Sequence, residues 1–285
     1  MSAAAQLRRR LAGPTLLVPG AYNPLVARIF ERHGFEAIYA GGYAAAAATY
    51  GLPDIGLLTQ SEMAEHVARI VESVQVPVIA DADTGYGDLA NVARTVRAFE
   101  RAGAAAVQIE DQVFPKRCGH LEGKQVIPGD EMVRKVRAAL GARRDPETVI
   151  IARTDAIAVT GLDDAIERMR AYEQAGADVI FPEAPRSLQE LRAIAAAADK
   201  PLLANVSEHG KTPLLDLATL RELGYAIALF PSSSLFAAAR SAHEVAEALV
   251  STGTTAGILE RLERFGDLNE LLGLSRWQDE EADAL

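Results

Sequence analysis

One unit recurs along the chain and limits what it can fold into. An amphipathic helical stretch ends at a glycine, and a short apolar run follows at once. Residues Arg28–Gly34 lead into Ala37–Ala40, Val96–Gly103 into Ala106–Ile109, Met169–Gly176 into Asp178–Phe181, and Leu220–Gly224 into Ala226–Phe230. Glycine just past a helix end takes the left-handed cap without steric cost. An apolar run without alternation reads as a strand covered on both faces. Further runs of this kind bring the expected strands to eight: Thr15–Pro19, Ala37–Gly41, Pro77–Asp81, Ala106–Glu110, Val149–Arg153, Asp178–Pro182, Pro201–Asn205 and Ala226–Phe230. Eight alternating βα units in about 250 residues predict an α/β fold of the (β/α)8 TIM-barrel type. The competing architecture, a doubly wound sheet, calls for fewer strands and a glycine-rich phosphate loop, and the chain has no such loop.

No Pro/Ser/Gly-rich linker divides the 285 residues, which predicts one barrel domain over 1–285: barrel about 12–250, helical extension about 251–285. In that extension, Ile258–Leu274 reads as a helix that follows the completed eighth unit. Its apolar face (Ile258, Leu259, Leu262, Phe265, Leu268, Leu271 and Leu272) needs a partner surface, either another subunit or the barrel's own outer wall.

Charge and composition exclude several classes. A formal net charge of -10 argues against nucleic acid as a general partner. The arginines near the N-terminus have no apolar core after them, and Ala44–Ala48 is too short to span a bilayer. A single cysteine leaves no internal disulfide and fits a reducing compartment. The expectation is a soluble cytoplasmic protein that engages neither membrane nor nucleic acid.

In a barrel the C-terminal strand ends converge on the active site. Here they carry Asp81 and Asp83 after strand three, Glu110-Asp111 after strand four, and Arg153-Thr154-Asp155 after strand five. Glu183 follows strand six, and Asn205, Ser207 and Glu208 follow strand seven. Gly41-Gly42 and later Asp54 follow strand two. Any one acid could simply cap a helix, and Asp88 and Asp155 suit that role or a supporting one. Asp81, Asp83 and Glu110 on neighbouring strands would repel one another unless a cation lay among them. Oxygen donors of this density suit Mg²⁺ or Mn²⁺. Lys116, Arg117, His120 and Arg153 would offset the acidic ring and hold substrate carboxylates, a task for which a planar guanidinium is well shaped.

Cys118 lies in Pro115-Lys-Arg-Cys-Gly-His120, just beyond the fourth strand. Three basic residues within two positions predict a thiol that ionises more easily than a free one. The alternative is a buried structural cysteine beside a basic turn.

Lys116-Arg-Cys-Gly-His120 resembles the signature of the isocitrate lyase and phosphoenolpyruvate mutase superfamily, in the form its carbon–carbon lyases carry. Asp81-Ala-Asp83-Thr-Gly-Tyr-Gly87, Gln108-Ile-Glu-Asp-Gln112, Ala152-Arg-Thr-Asp155, Phe181-Pro-Glu-Ala184 and Leu203-Ala-Asn205 match in order and spacing, so the resemblance runs from about Val18 to Ser241. It is nearest the branch of 2-methylisocitrate lyase and its short relatives. The resemblance implies a barrel that exchanges a late helix between subunits, normally within a homotetramer. It also implies Mg²⁺ near Asp83, with Asp81 and Glu110 helping directly or through water, and a mobile loop that carries Cys118 over the substrate.

The implied reaction is a retro-aldol, Claisen-type cleavage of a 2-hydroxy di- or tricarboxylate, such as 2-methylisocitrate to pyruvate and succinate. Cys118 would act as general acid, Arg153 would stabilise developing charge, and Tyr39 would serve as hydroxyl base. Gly41, Gly42, Asp54, Lys116, Gly119, His120, Glu183, Asn205 and Ser207 would surround the substrate. One departure stands out: the branch usually carries Ser-Gly-Gly where this chain has Gly41-Gly42-Tyr43. A hydroxyl is lost and a ring added where the keto-acid carboxylate should sit, though backbone N–H groups there could still hold the anion. Alternative readings are an oxaloacetate acetylhydrolase or dialkylmalate lyase of the same superfamily, a phosphonate P–C bond enzyme, which Cys118 argues against, and a catalytically silent barrel.

Overall fold

The computed structural model describes residues 1–283. Its strands are β1 (Leu16–Pro19), β2 (Ile38–Ala40), β3 (Val78–Asp81), β4 (Ala106–Glu110), β5 (Val149–Thr154), β6 (Val179–Pro182), β7 (Leu203–Asn205) and β8 (Ile227–Phe230), each within two residues of its predicted bounds. All pair in parallel, in the orders β2-β3-β4-β5-β6 and β1-β8-β7. Single bridges Gly20–Tyr39 and Ile180–Leu202 join the two sets and close the expected (β/α)8 barrel. Helix α1 (Ala3–Leu11) precedes β1. The connections hold α2 (Pro24–Arg32), α3 (Gly42–Ala45), α4 (Gln60–Ser73), α5 (Leu89–Arg101), α6 (Gly129–Ala142), α7 (Leu162–Ala175), α8 (Leu188–Ala197) and α9 (Leu217–Glu222).

Local chemistry sets the helix limits. Asn23, Thr59, Ser187 and Asp216 each accept a backbone N–H as N-caps, and Thr59 with Glu62 completes a capping box. Asp88 caps α5 as expected, through Leu89 N–H at 2.8 Å. The four glycines of the recurring unit, Gly34, Gly103, Gly176 and Gly224, all take positive φ.

Strand periodicity places the site. Leu16, Val18, Tyr39, Ile79, Val149, Ile151, Val179, Phe181, Leu203, Ile227 and Leu229 form one buried cluster inside the barrel, joined by Leu7 of α1. A second cluster, including Ala80, Val107, Ile150, Ala152, Ile180 and Ala228, packs toward the helices. Inward residues recur every second position. Continued past the apolar layers, the same faces lead to Asp81, Gln108, Glu110, Arg153, Glu183 and Asn205. The barrel's lower interior is therefore packed hydrocarbon and its upper rim is charged.

One compact unit comprises Met1–Ser233 and a second begins at Ser234. Helix α10 (Ser233–Thr252) buries none of its residues. The single helix expected over 258–274 is instead a short 3-10 segment (Ala256–Arg261) and α11 (Phe265–Leu271), followed by an unanticipated α12 (Leu274–Asp283). Gly273, at φ 77°, ends α11.

Candidate active site

Two acids follow from the register of β3. Asp81 is buried, and its Oδ1 accepts from Asp83 N–H at 3.1 Å and Gln108 Nε2 at 3.2 Å, while its Oδ2 accepts from Gly42 N–H at 3.1 Å. Asp83 sits at φ 48°, a left-handed turn that swings its carboxylate back toward the barrel axis. Lys116 reaches in from the Cys118 loop. Its Nζ lies 2.6 Å from Asp54 Oδ1 and 2.8 Å from Asp83 Oδ1. Burial raises the Asp83 pKa to about 6, with Asp81 and Asp54 adding to the rise and Lys116 opposing it. Burial alone would lower the Lys116 pKa, but the carboxylates of Asp83, Asp54, Glu110 and Asp81 hold it well above the ordinary lysine value. Asp54 is thus drawn into the site although it is far from the strand ends in sequence.

Arg153 is the centre of a second cluster. Pairing of β4 with β5 sets Glu110 opposite Arg153. The guanidinium Nε lies 3.3 Å from Glu110 Oε2 and 2.9 Å from Asp155 Oδ2, its terminal nitrogen lies 3.2 Å from Glu183 Oε2, and its carbon stands 5.1 Å over the Phe181 ring. Asp155 does not cap a helix with its side chain; it holds Arg153 and Lys124. Burial would raise its pKa, but these two cations outweigh burial and bring it down to about 2. Burial pushes Glu110 well above the ordinary carboxylate range, and its Oε1 has no hydrogen-bond partner.

Cys118 is anchored by its own N–H, which donates to Asp54 O at 3.1 Å. Burial pushes the thiol above the ordinary value, and a hydrogen bond from His120 N–H opposes this only in part. The expected easy ionisation is therefore corrected. Two of the three neighbouring cations do not serve the sulfur: Lys116 is spent on Asp54 and Asp83, and Arg117 donates to Glu122 O at 3.1 Å. His120 is held near neutral imidazole, because burial lowers its pKa more than Glu183 raises it. Its Nδ1 accepts from Lys211 N–H at 3.3 Å, so it ties the Cys118 loop to the segment after β7. Gly119 is pressed against the site: a Cβ there would lie 2.5 Å from an Arg153 terminal nitrogen and 2.7 Å from Glu183 Cγ.

Of the remaining expected residues, Tyr39 and Gly42 stand differently from their sequence reading. Tyr39 O–H donates to Gln108 Oε1 at 3.0 Å, and burial keeps its pKa well above 10.0. A phenol so placed stays neutral, which does not suit a hydroxyl base. Gly42 N–H is already taken by Asp81, so it is not a free anion donor, and a Cβ at Gly41 would lie 2.7 Å from the Tyr39 ring. Tyr43, half-exposed, is near enough to Cys118 and Asp54 for both to raise its pKa further after burial. Asn205 Nδ2 donates to Glu183 at 3.2 and 3.3 Å while its Oδ1 has no partner, and Ser207 is buried beside it in sequence. Sequence reasoning missed Lys124, Lys211 and the role of Gln112. Gln112 clamps the loop by bonding both Arg117 N–H (3.0 Å) and Arg117 O (2.8 Å). Nothing in the local pattern separates these from surface polar residues.

Among the described residues no three His, Cys, Asp or Glu side chains form a ready-made metal cluster. The donors nonetheless fit a hard cation. Asp81, Asp83 and Glu110 are buried oxygen donors, and Glu110 Oε1 lacks a partner. Mg²⁺ commonly keeps several waters and takes only one or two carboxylates.

A closed parallel barrel whose upper rim brings paired acids, a buried arginine and a half-buried thiol together defines a TIM-barrel enzyme. The chain belongs to the phosphoenolpyruvate phosphomutase family, whose model matches residues 7–250. It is 48% identical over 268 residues to the 2-methylisocitrate lyase of Aeropyrum pernix, covering 94% of this chain and 86% of that one. It is similar to the crystal structure of 2,3-dimethylmalate lyase, a PEP mutase/isocitrate lyase superfamily member, with TM-score 0.94 and 39% identity over 100% of this chain and 96% of that one. It is also similar to phosphonopyruvate hydrolase in complex with oxalate and Mg²⁺, with TM-score 0.90 and 32% identity over 99% of each chain.

Proposed function

We propose that the protein is a Mg²⁺-dependent carbon–carbon lyase. It cleaves a 2-hydroxy acid with a second carboxylate, of the 2-methylisocitrate or 2,3-dimethylmalate kind, into a 2-keto acid and a second carboxylate. The observation that carries this reading is the Cys118 loop, packed through Gly119 against Arg153 and Glu183 in the same mouth as Asp81, Asp83 and Lys116, where burial pushes the thiol pKa up. When bound beside Asp81 and Asp83, the cation supplies positive charge to the substrate hydroxyl and its adjacent carboxylate. Lys116, already fixed by Asp54 and Asp83, offers a further donor to that carboxylate. Arg153 holds the second fragment's carboxylate as charge develops on it, with Glu183, Asn205 and Ser207 shaping its bed. As the bond between the hydroxyl carbon and its neighbour breaks, the hydroxyl proton passes to water in the mouth, Cys118 Sγ–H delivers its proton to the fragment's carbanionic carbon, and the thiolate so formed takes a proton back from solvent. His120 and Gln112 position the loop that carries the thiol. Tyr43 narrows the keto-acid end and favours a compact acid.

We infer further that the protein works as a homotetramer with helix exchange, in the cytoplasm. Supporting this, α10, α11 and α12 bury no residue in one chain, while Leu17, Pro19, Phe30, Phe35, Leu217 and Phe230 line an apolar groove of about 310 Å³ on the barrel. No helix among the described residues is long and apolar enough to cross a membrane.

The test is a panel: 2-keto acid release, coupled to NADH oxidation, from 2-methylisocitrate and 2,3-dimethylmalate, and oxalate release from oxaloacetate, each with and without chelator. Pyruvate from 2-methylisocitrate, or its counterpart keto acid from 2,3-dimethylmalate, lost on chelation and restored by Mg²⁺, supports the reading. Turnover of oxaloacetate alone moves the assignment to the hydrolase branch. Silence on all three overturns it.

A further inference from the structure

Lys124 stands in an irregular surface loop, between exposed Gly123 and exposed Gln125, yet its own side chain is only 2% exposed. A buried ammonium is costly unless paired, so a loop that buries one gains a specific attachment. The Nζ lies 2.8 Å from Asp155 Oδ1 and also donates to Gly119 O, at the middle of the Cys118 loop. The same Oδ1 accepts from an Arg153 terminal nitrogen at 3.1 Å. Gly119 rests on that arginine and on Glu183, with no room for a Cβ. One carboxylate oxygen therefore serves both the arginine and the lysine that presses the thiol loop onto it.

We propose that Lys124 is the latch of the Cys118 loop: a positioning residue, making no contact with substrate, that couples the seating of the thiol to the orientation of Arg153 through Asp155. The inference rests on the lyase reading only for what the thiol does; the latch itself is a property of the loop. Removing the ammonium leaves Gly119 O and Asp155 Oδ1 each without that donor. The loop lifts, and Cys118 becomes accessible while Arg153 keeps its other partners.

The experiment reads Cys118 directly. Because it is the only cysteine, its alkylation by iodoacetamide can be followed by mass without substrate. Lys124→Met should stay folded and alkylate about tenfold or more faster than wild type at one pH. Its kcat should fall about a hundredfold with KM for the panel's best acid moved far less. Lys124→Arg, which keeps a cation, should restore slow alkylation in part. Should Lys124→Met fail to fold, Asp155→Asn decides, since it weakens the same attachment from the other side and should also speed alkylation. Alkylation within about twofold of wild type in the folded variants overturns the latch. A wild type that cleaves none of the acids overturns the lyase reading instead and leaves the alkylation result standing.

Discussion

Cys118 shows how burial can reverse a sequence expectation. Three basic neighbours suggested a thiolate, but the fold turns Lys116 and Arg117 elsewhere and leaves the cysteine half-buried, which pushes its pKa up. A thiol kept protonated at neutral pH is what a general acid needs. Cys118→Ser should keep its melting temperature while kcat falls about 10²–10⁴-fold, because a serine hydroxyl is far less acidic. Rates of cleavage near wild type in that variant would remove Cys118 from the chemistry. The pH dependence has a definite sign. Activity needs the thiol proton, so it should persist through neutral pH and fall only as pH rises through the raised thiol pKa, above the ordinary value of 9.0. An alkaline limb below that value in kcat would contradict this placement.

Between elements, the site depends on buried carboxylates that never meet substrate. Asp111, at the end of β4, accepts from Thr154 Oγ1 at 2.7 Å, Asp155 N–H at 2.9 Å, Tyr172 O–H at 2.7 Å and Arg168 at 3.2 Å, joining β4 to β5 and α7. Asp111→Ala takes one partner from Arg168, which keeps Asp164 and Ile127 O, and leaves the Thr154 and Tyr172 hydroxyls without their acceptor, so it should cost about 1–3 kcal/mol in chemical denaturation. A loss under about 1 kcal/mol would mean water replaces the carboxylate. Helix α4 contributes a separate pH effect. Burial lowers the His66 pKa from 6.5 to about 4, with Arg69 lowering it further, and its Nε2 has no partner. Above pH 6.5 both folded and unfolded chains hold it neutral. As pH falls from there toward 4, the unfolded chain takes up a proton that the folded one refuses, so stability is lost, by about 3 kcal/mol at most. His66→Leu should flatten the melting temperature across that window relative to wild type; an equal slope would place the effect in other groups.

For the whole molecule, the unsettled surface lies after Ser233. Large apolar side chains such as Val250, Phe265 and Trp277 stand 90%, 85% and 61% exposed, more than a stable monomer usually leaves in one segment. Sedimentation should therefore give a species near four times the 30.4 kDa chain mass, and Phe265→Asp should shift it toward smaller species. A monomer for the wild type at micromolar concentration would remove the exchanged helix from the account. The barrel itself was legible because its determinants are local and repeated: capped helices, glycine stops and uninterrupted apolar strands place all eight strands from spacing alone. The acids at strand ends were legible for the same reason, since period two carries Glu110, Arg153 and Glu183 onto the inner face. Lys124, Lys211 and Gln112 were not, because a polar residue in a loop has no periodicity, and only its partner distinguishes an anchor from a solvated side chain.

By itself the sequence determined the parallel barrel and the acids at its strand ends, because alternation and helix punctuation act within a few residues of each position. Tertiary structure alone decided what those groups are chemically. Whether Cys118 holds its proton, whether Tyr39 can act as a base and whether Lys124 is free or bound all turn on burial and on charges brought together from distant strands, and local order in the chain does not encode them.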